Sequence, residues 1–311
     1  MSSRKAEASP LVAVSNALAD AAEAVGKTVV AIHARPRIPS SGVHWREGMI
    51  VTASHTLKRD EGITMTLHDG TVAAASIAGR DRSTDVALLR LEGKPPPEAD
   101  WGDAATLRVG QPVLALGRPW DGGITAALGV VAALGGEWRT WRGGRIDRLI
   151  RLDMAVRDGF SGGPLVDAAG RIVGINSSTL LRGDAASIPV STVERAAQEI
   201  LEKGDVHRGY LGVAMHPVRV PQAMRDQHAL KSGVGLMILV VEPGGPAERA
   251  GLILGDVLVE VAGEQIRDAA QVLARLGSEQ VGKPLTVRVL RGGETRNLEV
   301  TPGPRPEPGE E

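Results

Sequence analysis

The sequence predicts a mainly β first domain, folded as antiparallel barrels or a sandwich, followed by a smaller domain of mixed strands and helices. Its 311 residues leave room for two domains of roughly 150 residues each. Between residues 28 and 190, short apolar or β-branched runs alternate with Gly, Pro and Asp, which is typical of many short strands. Thirty-nine glycines, with only five Trp, one Tyr and one Phe, favour tight turns around aliphatic cores.

The first 26 residues are interpreted as an amphipathic helical segment at the surface. The charged start imitates a signal peptide, but Asn16, Asp20 and Glu23 interrupt any apolar core. No run approaches the roughly 18 apolar residues that a membrane span requires. We therefore expect no membrane span. We expect a cytoplasmic location if the sequence is complete, and a periplasmic or exported one if a signal segment was removed.

Residues 27–204 are expected to form the first domain. A helix should close it, because Ser191 and Glu194 form a capping box, an apolar stripe follows, and Gly204 ends the pattern. The strands expected before this helix are Thr28–His33, Glu47–Ala53, Ile63–Leu67, Thr71–Ile77, Val86–Leu91, Pro112–Leu116, Ile124–Leu134, Arg148–Leu152, Arg171–Ser177 and Ala186–Val190.

Residues 208–302 are expected to form the second domain. Two helices fit its sequence, one over Pro246–Ala250 with proline in the first turn, and one over 269–276 capped by Asp268. The tail, residues 303–311, is rich in Pro and Glu and is expected to be disordered. The expected strands are Tyr210–Met215, Gly235–Val241, Val257–Val261, Leu285–Leu290 and Thr295–Thr301.

Charge and composition exclude several classes of function. The net charge of −1 and the pI near 6.7 give no electrostatic support for a nucleic-acid partner. The absence of cysteine excludes disulfides and thiolate zinc sites but does not decide the cellular compartment. The seven histidines are scattered, without carboxylates at a spacing that would form a metal site. We expect neither a metal nor another cofactor.

One glycine-rich segment carries a candidate nucleophile. Residues 159–165 read Gly-Phe-Ser-Gly-Gly-Pro-Leu. Glycine at 159 allows positive φ, and the N–H of Ser161 would lie beside its hydroxyl, as in an oxyanion hole. A serine hydroxyl also needs a base and an orienting acid. His55, at the end of an apolar run, and Asp85, at the start of another, are the candidates, whereas His33, His44 and His68 lack such a context.

Taken together, these residues resemble the HtrA/Deg family, in which a chymotrypsin-like protease precedes a PDZ domain. The resemblance implies a chymotrypsin-like double antiparallel β-barrel followed by an α+β PDZ domain. It covers nearly the whole chain. The matching motifs are Ser41-Gly42-Val43, Thr52-Ala53-Ser54-His55, Ser83-Thr84-Asp85-Val86-Ala87-Leu88, Val109-Gly110-Gln111-Pro112, Leu116-Gly117, residues 159–165, Gly174-Ile175-Asn176-Ser177, Tyr210-Leu211-Gly212-Val213, residues 245–252 and Gly255-Asp256-Val257-Leu258.

The resemblance implies an ATP-independent serine endopeptidase that degrades unfolded or misfolded polypeptides in protein quality control and the stress response. Its catalytic residues would be His55, Asp85 and Ser161, and its oxyanion hole the N–H groups of Gly159 and Ser161. It also allows a homotrimer, although the N-terminal segment lacks the aromatic residues that pack the family's trimer.

Two binding regions follow from the same resemblance. Ala155, six residues before the serine, would form the uncharged base of the S1 pocket, which predicts cleavage after small or medium aliphatic residues. In the second domain, a loop would hold peptide C-termini while a peptide adds a strand to the sheet. The opposite S1 wall would come from residues 175–178, with Ile175, Asn176 and Ser177 as its main members. The peptide site would include Tyr210, Leu211, Gly212, Val213 and Val272, with Leu273 as a further candidate.

Two departures from the family pattern motivate an alternative. The residue before the serine, usually small and polar, is Phe160, and the charged pair Arg157-Asp158 precedes Gly159. A flipped peptide at 159–160 would direct a carbonyl into the oxyanion hole. The alternative function is therefore a catalytically idle peptide-binding scaffold or holdase chaperone.

Overall fold

A computed structural model describes residues 9–119, 123–155, 158–181 and 184–306. The chain divides into two compact units. The first comprises Met1–Thr140 and Arg145–Val206, and the second Trp141–Gly144 and His207–Glu311. Arg157 and residues 307–311 of the expected disordered tail lie outside the described residues.

The first unit begins with helix α1, Pro10–Gly26, and continues into a closed six-stranded antiparallel barrel. The order of strands around the barrel is β1-β2-β3-β6-β5-β4, closed by pairing of β4 with β1. None of the helices in the described ranges is long and apolar enough to cross a membrane. The strands of this barrel are β1 Val29–His33, β2 Ser40–Arg46, β3 Met49–Ala53, β4 Ile63–Thr66, β5 Val72–Asp81 and β6 Val86–Leu91.

A second closed barrel of six antiparallel strands follows in the same unit, in the order β11-β14-β13-β12-β7-β8. The prediction of antiparallel barrels is thus confirmed, and there are two of them. The strands are β7 Pro112–Gly117, β8 Thr125–Leu134, β11 Ile150–Asp153, β12 Pro164–Val166, β13 Ile172–Ser177 and β14 Ala185–Pro189, with the small β9 Trp138–Arg139 and β10 Arg145–Ile146 pairing outside the barrel.

Aliphatic side chains form three clusters in this unit. One fills the first barrel around Ile32 and Leu89, and another fills the second around Val113 and Leu165. The third draws side chains from both barrels and from helix α2, Val190–Lys203. Because protein interiors pack closely, this shared cluster of buried side chains holds the two barrels against each other, as a site assembled from both of them requires.

Helix α2 ends as predicted but begins differently. Gly204 has φ +73° and its N–H bonds to the Ile200 carbonyl, which terminates the helix. The predicted capping box at Ser191 is wrong, because Pro189 occupies the N-cap position. Proline locks the φ angle that helix entry requires, so the helix starts without a side-chain cap.

The second unit contains a mixed set of strands and short helices around its own apolar core. Its main sheet has the order β16-β17-β18-β20-β21, and β19 pairs with β18. The elements are β15 Gly209–Tyr210, β16 Val213–Arg219, α3 Gln222–His228, β17 Val234–Val241, α4 Pro246–Arg249, β18 Val257–Val261, β19 Glu264–Gln265, α5 Ala269–Ala274, β20 Leu285–Arg291, β21 Glu294–Val300 and β22 Gly303–Pro304.

Two expectations for this unit need correction, and one helix was not expected. The single strand predicted over Tyr210–Met215 is split into β15 and β16, because Gly212 adopts φ +77° and turns the chain. Helix α3 was not predicted, since Gln222–His228 carries no buried residue and hence no apolar stripe. Residues 303–304, expected to begin a disordered tail, pair with β15 as strand β22.

A buried ion pair explains the Gly-Asp-Val-Leu motif at residues 255–258. The Asp256 side chain is completely buried and accepts both Nε and Nη2 of Arg291 at 2.7 Å, as well as the Ile253 N–H at 3.0 Å. The hydrogen bond to Asp256 raises the pKa of Arg291. This fork joins the turn before β18 to the end of β20.

Replacing Asp256 by Asn should destabilise the second unit by about 3 kcal/mol, because an amide NH₂ would face an Arg291 donor and leave that charge unpaired. Urea unfolding of the full chain, followed by circular dichroism, measures the loss. Asp268→Asn is the matched control. Its side chain caps α5 by accepting the Gln271 N–H, and asparagine caps equally well. Equal stabilities of the two variants would contradict the prediction.

Candidate active site

His55 and Asp85 meet because their strands are neighbours. His55 lies in a 3-10 turn, Ser54–Thr56, directly after β3, and Asp85 directly precedes β6. The two strands are antiparallel, with Ala53 paired to Val86, so the end of one lies beside the start of the other. The Ser54 N–H bonds to the Asp85 carbonyl at 3.0 Å, which extends the pairing up to the two side chains.

The Asp85 carboxylate holds His55 at two points. Its Oδ1 accepts the backbone N–H of His55, and its Oδ2 lies 2.8 Å from the imidazole Nδ1. Asp85 has φ +63°, in the left-handed region that aspartate tolerates better than most residues. An ionised carboxylate only accepts hydrogen bonds, so Nδ1 carries the proton and Nε2 presents a lone pair. This is the tautomer that a general base needs.

Ser161 lies in the turn between β11 and β12. Gly162 has φ +86°, and a Cβ there would lie 2.1 Å from the Ser41 carbonyl oxygen, so only glycine fits. The Gly162 N–H bonds to the Asn176 carbonyl at 2.9 Å. The nucleophile candidate is therefore held between the first barrel, through β2, and strand β13 of the second.

Two backbone N–H groups at Ser161 and just before it are potential donors of an oxyanion hole. Gly159 has φ +89°, and a Cβ there would lie 2.3 Å from the Cβ of Pro119. Within the described ranges, the N–H groups of Gly159 and Ser161 make no hydrogen bond although both residues are buried. Buried donors normally have acceptors. Free donors here are what an oxyanion hole requires before substrate binds.

Ser41 holds the Gly159 carbonyl away from those donors. Its Oγ donates to the Gly159 oxygen at 2.7 Å, its N–H donates to the Ser161 carbonyl at 3.1 Å, and its Oγ accepts the Arg118 N–H at 2.7 Å. The carbonyl that a flipped 159–160 peptide would turn into the hole is thus bonded elsewhere. The Phe160 carbonyl accepts the Gly163 N–H at 2.9 Å, and the residue is only 2% exposed.

Arg118 supports this arrangement from a buried position. Its guanidinium donates to two main-chain carbonyls, those of Val29 and Gly26, at 3.1 and 3.0 Å. Burial lowers the pKa of its side chain. These bonds tie the chain after β7 to the end of α1 and the start of β1.

His55 and Ser161 are connected through a third side chain. No direct hydrogen bond joins His55 Nε2 to Ser161 Oγ among the described atoms. Instead, the Oγ of Ser178 lies 3.1 Å from Ser161 Oγ and 3.2 Å from His55 Nε2. The sequence placed Ser178 only in the expected S1 wall, residues 175–178, and not beside the nucleophile, although three hydroxyl residues in a row, 177–179, follow Asn176.

The residues expected at the S1 pocket lie in different surroundings. Ala155 is exposed, next to residues outside the described set. Ile175 packs in the shared cluster of the two barrels, and the Asn176 side chain donates to the Pro164 carbonyl and accepts from the Ser187 hydroxyl. Ser177 donates to Asp85 Oδ2 at 2.6 Å, so its hydroxyl serves the acid.

The rival histidines lie away from this arrangement. His33 Nε2 bonds to the Thr66 hydroxyl, and His44 Nε2 accepts the Gly48 N–H. His68 is exposed in a turn. Among the described residues, no group of three or more His, Asp or Glu side chains could hold a metal ion.

The expected peptide-binding residues lie around one edge of the second unit's sheet. Strand β16 pairs with β17 alone among the described strands, so its other edge is open, and α5 packs beside it. The N–H groups of Leu211 and Gly212 make no hydrogen bond within the described part of the chain. Tyr210 and Val213 flank them and are half-buried. Val272 is completely buried in the core, whereas Leu273 is partly exposed.

Comparisons with known families agree with this division. The trypsin-like peptidase domain family matches residues 40–175, and the PDZ domain family matches residues 209–301. The first match contains His55, Asp85 and Ser161, and the second contains the loop at 210–213.

Two relatives extend the match. A putative serine protease, HhoB, of Synechocystis is 33% identical over 272 residues, which are 84% of this chain and 65% of the relative. A probable periplasmic DegP-like serine endoprotease of Bartonella henselae is 36% identical over 268 residues, 84% of this chain and 52% of the relative. The chain thus spans about half to two-thirds of the length of these curated relatives.

Solved structures agree over almost the full chain. The HtrA-type protease AlgW with a tripeptide is 30% identical, with a TM-score of 0.70, and the match covers 94% of this chain and 98% of that one. A serine endoprotease from Yersinia pestis is 25% identical, with a TM-score of 0.71, covering 93% and 98% of the two chains.

Two adjacent buried serines allow a test of the Ser41 contact. Ser41→Ala should slow the reaction of Ser161 with a fluorophosphonate about tenfold, because the Gly159 carbonyl loses its donor and the loop loosens, whereas loss of a whole oxyanion donor costs more. Ser40→Ala is the control, because the Ser40 Oγ is buried and has no hydrogen-bond partner among the described residues. Labelling rate constants are compared, and equal rates for the two variants would contradict the role of Ser41.

Proposed function

The chain belongs to the HtrA/Deg family of serine proteases, and from that premise we propose that it is an ATP-independent endopeptidase that cleaves unfolded or misfolded polypeptides. Its trypsin-like domain performs the cleavage, and its PDZ domain binds peptide C-termini. Protein quality control and the stress response, which are typical of the family, are its proposed setting.

One observation carries the proposal. Asp85, His55 and Ser161 come from three separate segments, yet hydrogen bonds connect them. Asp85 Oδ2 lies 2.8 Å from His55 Nδ1, and the Ser178 hydroxyl lies 3.2 Å from His55 Nε2 and 3.1 Å from Ser161 Oγ. Isolated serines and histidines at the ends of strands have no reason to converge in this way. The free N–H groups beside Ser161 supply the other half of an acyl-transfer site.

The chemistry follows from the roles of these groups. Ser161 Oγ attacks the scissile carbonyl carbon while its proton moves to Nε2 of His55, and Asp85 stabilises the resulting imidazolium. The N–H groups of Gly159 and Ser161 bind the oxyanion. The imidazolium then protonates the leaving amine, the C–N bond breaks, and an acyl-Ser161 ester remains. Water activated by His55 hydrolyses that ester and restores the free hydroxyl.

Substrate preference rests on the uncharged residue at 155. Asp at the base of an S1 pocket selects Lys or Arg, and Ala155 offers no such charge. We therefore propose cleavage after small or medium aliphatic residues. The Ser177 hydroxyl donates to the Asp85 carboxylate, so we assign it to positioning that carboxylate and not to the wall of the S1 pocket.

Removal of the nucleophile tests the enzyme assignment. Ser161→Ala should reduce cleavage of unfolded casein below detection and abolish fluorophosphonate labelling, because no other group can form the acyl-enzyme. Ser76→Ala, which removes an exposed hydroxyl from β5 of the first barrel, should behave as wild type. Casein cleavage by Ser161→Ala at the wild-type rate would refute the assignment, and absent labelling of wild type would favour the idle scaffold.

The proposed peptide site uses backbone donors at a sheet edge. A peptide would add a strand beside β16, and its terminal carboxylate would accept the N–H groups of Leu211 and Gly212. Leu273, partly exposed on α5, would contact an apolar side chain of the peptide. Val272 would support α5 from within the core.

Amidation of the peptide tests this site directly. A decapeptide that ends in an apolar residue with a free carboxylate should bind at least about tenfold more tightly than its amidated form, since charge-assisted hydrogen bonds are lost on amidation. Fluorescence anisotropy with the Ser161→Ala protein avoids cleavage during the measurement. Equal dissociation constants for both peptides would exclude carboxylate recognition.

The names of relatives support an extracytoplasmic location, since the Bartonella henselae protein is described as probably periplasmic. A homotrimer stays a prediction, as do the natural substrates.

A further inference from the structure

Two neighbouring segments of the first barrel carry positive charge beside the proposed catalytic residues. One is the turn between β1 and β2, residues 34–39, and the other is residues 57–61, which follow the turn that contains His55. A backbone hydrogen bond joins the two segments, because the Lys58 N–H donates to the Ala34 carbonyl at 3.0 Å. We call these two segments together the basic border.

The basic border extends from the proposed base to the proposed oxyanion hole. His55 precedes its second segment by two residues. At the end of its first segment, the Pro39 carbonyl oxygen lies 3.1 Å from the position that a Cβ would take on Gly159, whose N–H is one of the proposed oxyanion donors. The basic border therefore bounds the site on the side of the first barrel.

This position places the basic border along the part of a substrate that follows the scissile bond. The residue before the bond would enter the S1 pocket, whose expected wall, residues 175–178, belongs to the second barrel. Ser178 of that wall lies beside Ser161, at 3.1 Å between their hydroxyl oxygens. An extended peptide that leaves the pocket and crosses Ser161 thus continues onto the first barrel and its basic border.

The cations of the basic border are available to a ligand. Arg37 and Lys58 are exposed, and neither side chain makes a hydrogen bond or an ion pair within the described part of the chain. Arg35 and Arg59 donate to the main-chain carbonyls of Ile38 and His33, respectively. These neutral acceptors leave the charge of both guanidinium groups uncompensated.

Carboxylates offset only part of this charge. Asp60 accepts a hydrogen bond from Nη2 of the buried Arg80 at 2.5 Å, so that carboxylate already has a cation partner. Glu61, in the same segment, and Asp158, next to Gly159, are exposed. Four cations therefore stand against these two remaining carboxylates, and the border keeps a net positive charge.

We propose that Arg37 and Lys58 form a subsite for an acidic side chain among the first three residues after the scissile bond. This inference rests on the proposed endopeptidase function and narrows its substrates. The preferred sequence has a small or medium aliphatic residue before the bond and Asp or Glu shortly after it. Because both cations are exposed to solvent, the preference is a matter of severalfold in rate and is sensitive to salt.

Matched peptides test the subsite with the full chain. Two quenched fluorescent peptides share an aliphatic residue before the bond and carry either Glu or Gln at the three positions after it. A C-terminal amide keeps them from the proposed carboxylate loop. The kcat/KM of the Glu peptide should exceed that of the Gln peptide about tenfold at an ionic strength of about 0.02 M, and the ratio should approach one at about 0.5 M. Mass spectrometry verifies that both peptides are cut at the same bond.

Charge variants locate the effect. Arg37→Gln combined with Lys58→Gln should lower the Glu-to-Gln ratio at least about threefold, and Arg37→Glu combined with Lys58→Glu should bring it below one. Arg90→Gln combined with Lys94→Gln is the matched control, since it removes the same two charges from exposed positions at the end of β6 remote from Asp85. The ratio cancels any general change in the reactivity of Ser161, and thermal unfolding verifies that the variants are folded.

The outcomes are distinct. Equal kcat/KM values of wild type for the two peptides at low ionic strength would overturn the subsite and leave the endopeptidase function intact. An equal fall of the ratio in the control would also overturn it, because the overall charge of the protein would then be the cause. If neither peptide is cut and Ser161 does not react with a fluorophosphonate, the endopeptidase function is refuted and the subsite falls with it.

Discussion

The hydrogen bonds between the Asp85 carboxylate and His55 are the contacts on which the rest of the site depends. They fix the imidazole tautomer, with the proton on Nδ1 and the lone pair on Nε2. Because Nε2 is then an acceptor, the Ser178 hydroxyl donates to it, and the Ser178 oxygen accepts from Ser161. The fold supplies them through one antiparallel pairing, that of β3 with β6. A strained backbone at Asp85, with φ +63°, is maintained because the surrounding sheet and turn hold it in place.

The second barrel completes what the first begins. Ser177, at the end of β13, donates to the carboxylate of the first barrel, while Ser41, on β2 of the first barrel, holds the loop of the second. Both contacts cross the interface between the two barrels, which we call the seam. In one the donor lies in the second barrel, and in the other it lies in the first. The aliphatic cluster shared by the two barrels keeps that seam at a fixed spacing, so that side-chain oxygens meet at hydrogen-bond distance.

Much of the fold and of the site could be predicted from the sequence, because these features depend on residues that are neighbours along the chain. Short apolar runs predicted antiparallel barrels or a sandwich, the family resemblance predicted a double barrel, and Gly204 predicted the end of α2. The glycine-rich turn and the order of His55, Asp85 and Ser161 selected the residues that the structure brings together.

The remainder depends on distances across the fold. The role of Ser41 could not be predicted, because its partner Gly159 is 118 positions away and no local pattern pairs them. The contacts of Ser178 could not be predicted either. Its hydroxyl lies between His55 and Ser161 only because three segments distant in sequence pack together. The capping box at Ser191 failed because Pro189, just upstream, took the N-cap position instead.

The site's division between barrels has a consequence for synthesis. A nascent chain that has completed strands up to β6 already contains His55 and Asp85, but the proposed nucleophile, Ser161, follows about seventy residues later. The proposed catalytic site is therefore complete only when the second barrel has formed against the first. A chain that has only its first barrel holds the proposed base and acid without the proposed nucleophile.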